Sequence, residues 1–253
     1  MTAFTALYEA QLVAVLVVLA RVGTALMFLP GFGETQVPRM HRLTLALLLS
    51  IGLRGALPVT LPETPMLLGA LLAREALVGL YLGLGARIIF TVLHTLGSIV
   101  SFSTSLSNAM AAGNTGYEGS SAISSLLMVA GVALIFVTDV HHLMLRAIFH
   151  SYDLLPPAWL PLGDLALQVT RLAIRSLYIA AMLGAPFFVL GILYNLGLGV
   201  ANRVMPNMPV MFVAGPATVI LGLVLLYLTQ EALLERFSDL LAEFLMTLTV
   251  EPS

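Results

Sequence analysis

The chain has 253 residues, 59% hydrophobic and 9% charged, with a formal net charge of −2. Soluble domains are roughly 45–50% apolar and about 25% charged, so this chain lacks the polar surface to cover an ordinary soluble globule, and it is too apolar to be disordered. Its eleven basic residues are all arginine and thinly spread, which excludes a phosphate-tracking patch and hence a nucleic-acid partner.

In chain order, the first apolar run is 10–29. It carries Arg21 and stops at Pro30-Gly31. Glu9 precedes it, with no basic residue, and the run exceeds a signal-peptide core, so it reads as a retained transmembrane helix. A loop follows over 30–42, with Pro38, Arg39, His41 and Arg42. The run 43–53 is short, halted by Arg54-Gly55 and Pro58, and reads as a half-span. Three prolines make 58–65 a turn region.

Residues 66–103 are long enough for nearly two spans, interrupted by Arg74-Glu75 and Arg87. They predict one long kinked helix or two helices without a polar loop. The cleanest uncharged span is 122–138. A polar stretch, 139–175, holds His141, His142, Arg146, His150, Asp153, Asp164 and several prolines, and reads as a loop between two membrane-embedded halves. Two further spans, 177–198 and 210–229, contain Pro186 and Pro216, with Arg203 and Pro206 between them. The expectation is an all-α, multi-pass membrane protein of helical hairpins with roughly six hydrophobic segments, and lipid as one of its contacts.

The tail, 230–248, repeats Leu233, Leu234, Phe237, Leu240, Leu241, Phe244, Leu245 and Leu248 at helical spacing. Glu231, Glu235, Arg236, Asp239 and Glu243 fall on its other face, which is mainly acidic. That amphipathic helix suits a protein neighbour better than anionic lipid.

Arg21, Arg74, Glu75, Arg87 and Arg175 lie within or against apolar runs, and Arg203 closes one. A charge at the bilayer centre costs about 2.5–3.5 kcal/mol on insertion scales, so these residues must pair, snorkel, or face protein or water. Adjacent Arg74 and Glu75 point about 100° apart on a helix and cannot pair with each other. The arginines are too evenly shared among loops to set an orientation.

Gly97, Ser101, Ser105, Ala109 and Gly113 fall every fourth position, as do Thr104, Asn108, Ala112 and Gly116. On a helix these form a face for close backbone approach. Gly79 and Gly83 make a second packing motif. The glycines near 113–119 turn the first stretch into a loop between apolar segments. Such a loop serves as a plain connector, or as a flap where it is buried in protein or lines a cavity.

Recognisable chemistry is missing. There is no cysteine, no P-loop, no nucleophile elbow and no His-Glu-x-x-His. His141, His142 and His150 have one close carboxylate, Asp139, and read as solvated or hydrogen-bonded. The expectation is no catalytic residue, no metal and no cofactor.

The order Arg21, Pro30, Pro38, Arg42, Pro58, Glu75-x-x-x-Gly79-x-x-x-Gly83, Gly97 and His142 ahead of 151–156 resembles the FliR family. So does a C-terminal signature: Asn195-Leu196-Gly197, Arg203-x-x-Pro206-Asn207-Met208-Pro209-Val210, then Pro216. The resemblance covers nearly the whole chain. It implies a single integral-membrane export-gate domain over 1–253, a non-enzymatic part of a helical hetero-oligomeric channel. It also implies the bacterial inner membrane at the flagellar basal body. Partners by resemblance are FliP and FliQ, with FlhB and FlhA associated, and unfolded flagellar proteins as cargo. The family's channel plug corresponds by position to 104–121, with Leu106, Met110, Gly113, Asn114, Gly116, Tyr117 and Gly119. Here the sequence departs from the family's frequent Asp-Pro in that loop, reading Asn114-Thr115-Gly116-Tyr117. The competing classes are a small secondary transporter working alone, with a site near Glu75, and an intramembrane hydrolase using His141 and His142.

Overall fold

The computed structural model describes residues 2–55, 57, 61, 62, 64–104, 122–156, 161–204 and 210–248. Regular secondary structure among them is all helical: α1 (Thr2–Phe28), α2 (Arg39–Arg54), α3 (Pro65–Ser103), α4 (Ala122–Val137), α5 (Val140–Leu154), α6 (Leu162–Val204) and α7 (Val210–Thr247). Four contain apolar stretches long enough to cross a membrane: Ala10–Phe28, Pro65–Ser103, Leu162–Val204 and Gly215–Thr247. The α4–α5 pair makes a fifth if it counts as one broken span. This agrees with an all-helical multi-pass chain of roughly six apolar segments.

Local chemistry sets the helix ends. α1 stops at Pro30-Gly31, where Gly31 takes a φ of 86° that other residues avoid. α2 begins directly after Pro38, whose extended backbone (φ −57°, ψ 139°) cannot continue a helix backwards. It therefore takes in Arg39 and Arg42, which the sequence placed in a loop. α3 runs unbroken for 39 residues through Arg74, Glu75 and Arg87. α6 and α7 pass through Pro186 and Pro216. The tail expected as a separate helix is the continuation of α7. Its phase is as expected: Leu233, Phe237, Leu240 and Leu241 are buried, while Glu231, Glu235, Asp239 and Glu243 are exposed.

Among its described residues, the stretch 139–175 is mostly helix rather than loop. It holds all of α5 and the start of α6. Met144, Ala147, Ile148, Ser151 and Tyr152 are buried at helical spacing, with His142, Arg146 and Asp153 on the exposed face. Its polarity reflects amphipathicity, with a helical period, rather than absence of structure.

The chain divides into two compact units. The first comprises residues 1–88, 135–172 and 241–253; the second comprises 89–134 and 173–240. The first core draws Val18, Val22 and Leu26 from α1, Val78 and Leu82 from α3, and Met144 and Ile148 from α5. The second draws Leu93 and Leu96 from α3, Ile123 and Leu127 from α4, and Phe187 from α6. There Phe90 of α3 meets Phe237 of α7 edge to face at 5.8 Å.

Candidate functional site

Arg21 lies in the middle of the buried face of α1, flanked by Val17, Val18, Val22 and Ala25, and is itself fully buried. The run 10–29 is apolar apart from Gln11, Arg21 and Thr24, so hydropathy gives little hint of which side faces inward. A buried guanidinium costs several kcal/mol of lost hydration unless paired and fully hydrogen-bonded. Here it is both. Arg21 Nε donates to Glu75 Oε2 at 2.7 Å, and an Nη donates to Glu75 Oε1 at 2.9 Å, a two-pronged grip on one carboxylate. That Nη also donates to the Leu155 carbonyl at 2.9 Å. The other donates to the Ser151 carbonyl at 2.8 Å and to Ser151 Oγ at 3.1 Å. Those five bonds match the five N–H donors of a guanidinium.

The carbonyl partners explain the position. Ser151 and Leu155 lie in the last turn and at the C-cap of α5, where negative partial charge accumulates; the Ser151 carbonyl accepts the Leu155 N–H at 2.9 Å and keeps a second lone pair for Arg21. Arg21 caps that helix end from another helix, and Glu75 neutralises the cap. Tyr152 closes the top, its ring 3.9 Å from the guanidinium carbon. The hub thus ties α1, α3 and α5 at one point.

Beside the hub, α1 and α3 approach closely. Glu75, Gly79 and Gly83 repeat every fourth residue on α3, so they share one face. A Cβ on Gly79 would collide with the Arg21 carbonyl and Thr24 Oγ1. One on Gly83 would lie 2.7 Å from the Ala25 carbonyl oxygen. Carboxylate reach and backbone proximity are set by the same stripe.

The second unit has a crossing without charge. Gly97 of α3 lies against Ser124 of α4, and an added Cβ would be 2.7 Å from the Ser124 nitrogen. The hydroxyls of Ser98 and Ser124 both donate to the His94 carbonyl, at 3.0 and 3.2 Å. Ser101 and Thr104, on the predicted small-residue stripes, are buried, whereas Phe102 is exposed. A Cβ on Gly222 of α7 would collide with the Thr104 side chain.

The other sequence candidates divide. Arg87 pairs with Glu34 at 2.5 Å on a half-exposed surface. Arg74 is half-buried, and Arg175 and Arg203 are exposed. Ser105, the fifth packing candidate, and the plug candidates Leu106, Met110, Gly113, Asn114, Gly116, Tyr117 and Gly119 lie outside the described residues. Asp139, His141 and His142 come together at the start of α5. Sequence reasoning missed Glu34, Ser151, Tyr152 and Leu155. The available signal was that Glu75 is the one acid among four arginines in the apolar runs, so one arginine had to be its partner.

A family described as bacterial export proteins, family 1, matches residues 12–244. The chain is 36% identical over 250 residues to the flagellar biosynthetic protein FliR of Caulobacter vibrioides, covering 97% of this chain and 98% of that one. The chain belongs to the FliR family of bacterial export proteins. Similarity extends to the FliR proteins of Pectobacterium carotovorum, at 26% identity over 92% of this chain and 91% of that one. It also reaches Bacillus subtilis FliR, at 26% over 84% of both. In this FliR-family chain the hub is held by residues of the matched region, Arg21, Glu75, Ser151 and Leu155, all within 12–244. Its chemistry is that of a structural anchor: every guanidinium donor is engaged.

Proposed function

We propose that this chain is a non-enzymatic wall subunit of the flagellar protein-export gate in the bacterial inner membrane. It assembles with FliP and FliQ at the basal body, with FlhB and FlhA alongside, and unfolded flagellar proteins pass through. The family membership supports an export role, and one physical observation supports the assembly. Apolar side chains stay exposed along α6 from Ile174 (65%) to Val204 (69%). Residues 173–204 of that helix rise about 48 Å at 1.5 Å each. A bilayer's hydrocarbon core is about 30 Å thick. Fitting the whole stretch into it would need a tilt of about 50°, beyond the 0–40° range of membrane helices. Hydrocarbon alone does not cover all of that surface, which supports a reading in which other protein chains pack on part of it.

In this reading the 104–121 segment is the plug that closes the resting channel by filling it, without chemistry. The acidic face of 230–248 docks on a neighbouring subunit. Co-expression with FliP and FliQ is expected to give one complex of defined mass. A chain that is monodisperse and stable alone in detergent, and ignores both partners, would overturn the reading. Deleting 113–119 is expected to make the assembled complex leak small ions; unchanged permeability would remove the plug.

A further inference from the structure

We propose that Asp139, His141 and His142 form a binding site for a divalent transition-metal ion of the zinc class. They lie at the break between α4 and α5. One potential ligand atom from each falls within 4.8 Å of the others. Asp139 has φ 58°, the only positive φ on a non-glycine residue among the described residues. At a helix N-cap an aspartate ordinarily bonds the first-turn N–H groups. Here the Asp139 side chain makes no capping bond. Its carboxylate lies 3.5 Å from His142 Nδ1 instead.

His141 is fixed from the opposite side. Its Nδ1 is 3.4 Å from the Ile135 carbonyl oxygen, and its ring packs 5.0 Å from Phe136. Phe136 in turn is held edge-on by Phe32 at 6.0 Å. Metal-binding histidines commonly spend one ring nitrogen on a carbonyl, which fixes the tautomer and leaves the other lone pair for the ion. The two imidazoles lie 4.1 Å apart. An ion pair between Asp139 and a protonated His142 would account for their contact. It would not account for the tethered third ligand brought to the same point.

Two neutral imidazoles and one carboxylate suit Zn²⁺, Co²⁺ or Ni²⁺ better than Ca²⁺ or Mg²⁺, which prefer oxygen. Ligand atoms around a tetrahedral zinc are about 3.4 Å apart, so the group closes slightly on binding. The Asp139 and His142 side chains are 77% and 66% exposed and have room to do so. A bound ion would cross-link residue 139 to the first turn of α5 and stiffen the break.

The test uses the full-length chain, solubilised with whatever partners accompany it, stripped with a chelator and titrated with Co²⁺ and Zn²⁺. One saturable equivalent per chain is expected, with a Co²⁺ visible spectrum of low coordination number. His141→Ala and His142→Ala should each weaken binding at least tenfold. Asp139→Asn, which tolerates the left-handed backbone, should do the same. His150→Ala should change nothing. Zn²⁺ should raise the melting temperature of the parent chain and not of the His141→Ala/His142→Ala variant. No saturable binding by the parent chain, or undiminished binding by that double variant, would overturn the site.

Discussion

The two units solve the same problem, close helix packing, by different chemistry. The first buries a charge pair, Arg21 with Glu75, and engages every N–H donor of the guanidinium. The second uses Gly97, Ser98 and Ser124, with neutral hydroxyls sharing one backbone carbonyl. Both tolerate an unmet hydroxyl: Ser101 and Ser103 in the second unit, and Tyr152 beside the hub in the first, are buried without a hydrogen-bond partner. A buried ion offers no such latitude, because an unmet charge costs several times an unmet hydroxyl. The hub is therefore an all-or-nothing device, and the serine crossing is one whose small size matters more than its polarity.

The sharpest break of that contrast is Glu75→Leu, which strands a buried cation. It is expected to cost about 3–5 kcal/mol, read as a large fall in the melting temperature of the solubilised chain. The double variant Arg21→Leu/Glu75→Leu should be milder than the sum of its single changes, since it removes the charge altogether. An additive double variant would mean the hub is not a unit.

Next come Gly79→Leu and Gly97→Leu, one per unit. Each forces a side chain into neighbouring backbone, and each should cost roughly 1–3 kcal/mol or more by thermal melting. Similar losses would show that backbone proximity is common to both units and that charge alone distinguishes them. A smaller effect follows for Ser124→Ala, which gives up hydroxyl bonds to the His94 carbonyl and to Ser98 Oγ, worth about 1 kcal/mol each. Ser101→Ala removes an unpartnered hydroxyl and should be neutral or slightly stabilising. Smallest is Arg87→Ala at the half-exposed Glu34 pair, at about 0–1 kcal/mol and fading in high salt. If it cost as much as Glu75→Leu, burial would not be what separates the hub from an ordinary pair.

Much of the fold was legible because helical period and apolar run length are local properties. The tail phase from Leu233 to Leu248 and the glycine stripe through Gly79 and Gly83 are patterns of near neighbours. The α5 helix was missed although its buried set repeats at the same period, because histidines and prolines around it suggested a loop. The site was legible only as a set of residues that needed partners. Nothing in spacing says that Arg21 meets Glu75, 54 positions away, or Ser151, 130 away.

The sequence alone determined that this chain is an apolar, all-helical, multi-pass protein of the FliR family, because hydropathy and motif order are written along the chain. Only the tertiary structure decided which arginine is buried, which carboxylate holds it, and that the end of α5 is capped by a side chain from α1. Those pairings depend on which helix faces meet. On an almost uniformly apolar helix such as α1, hydropathy does not mark the inward face; packing does.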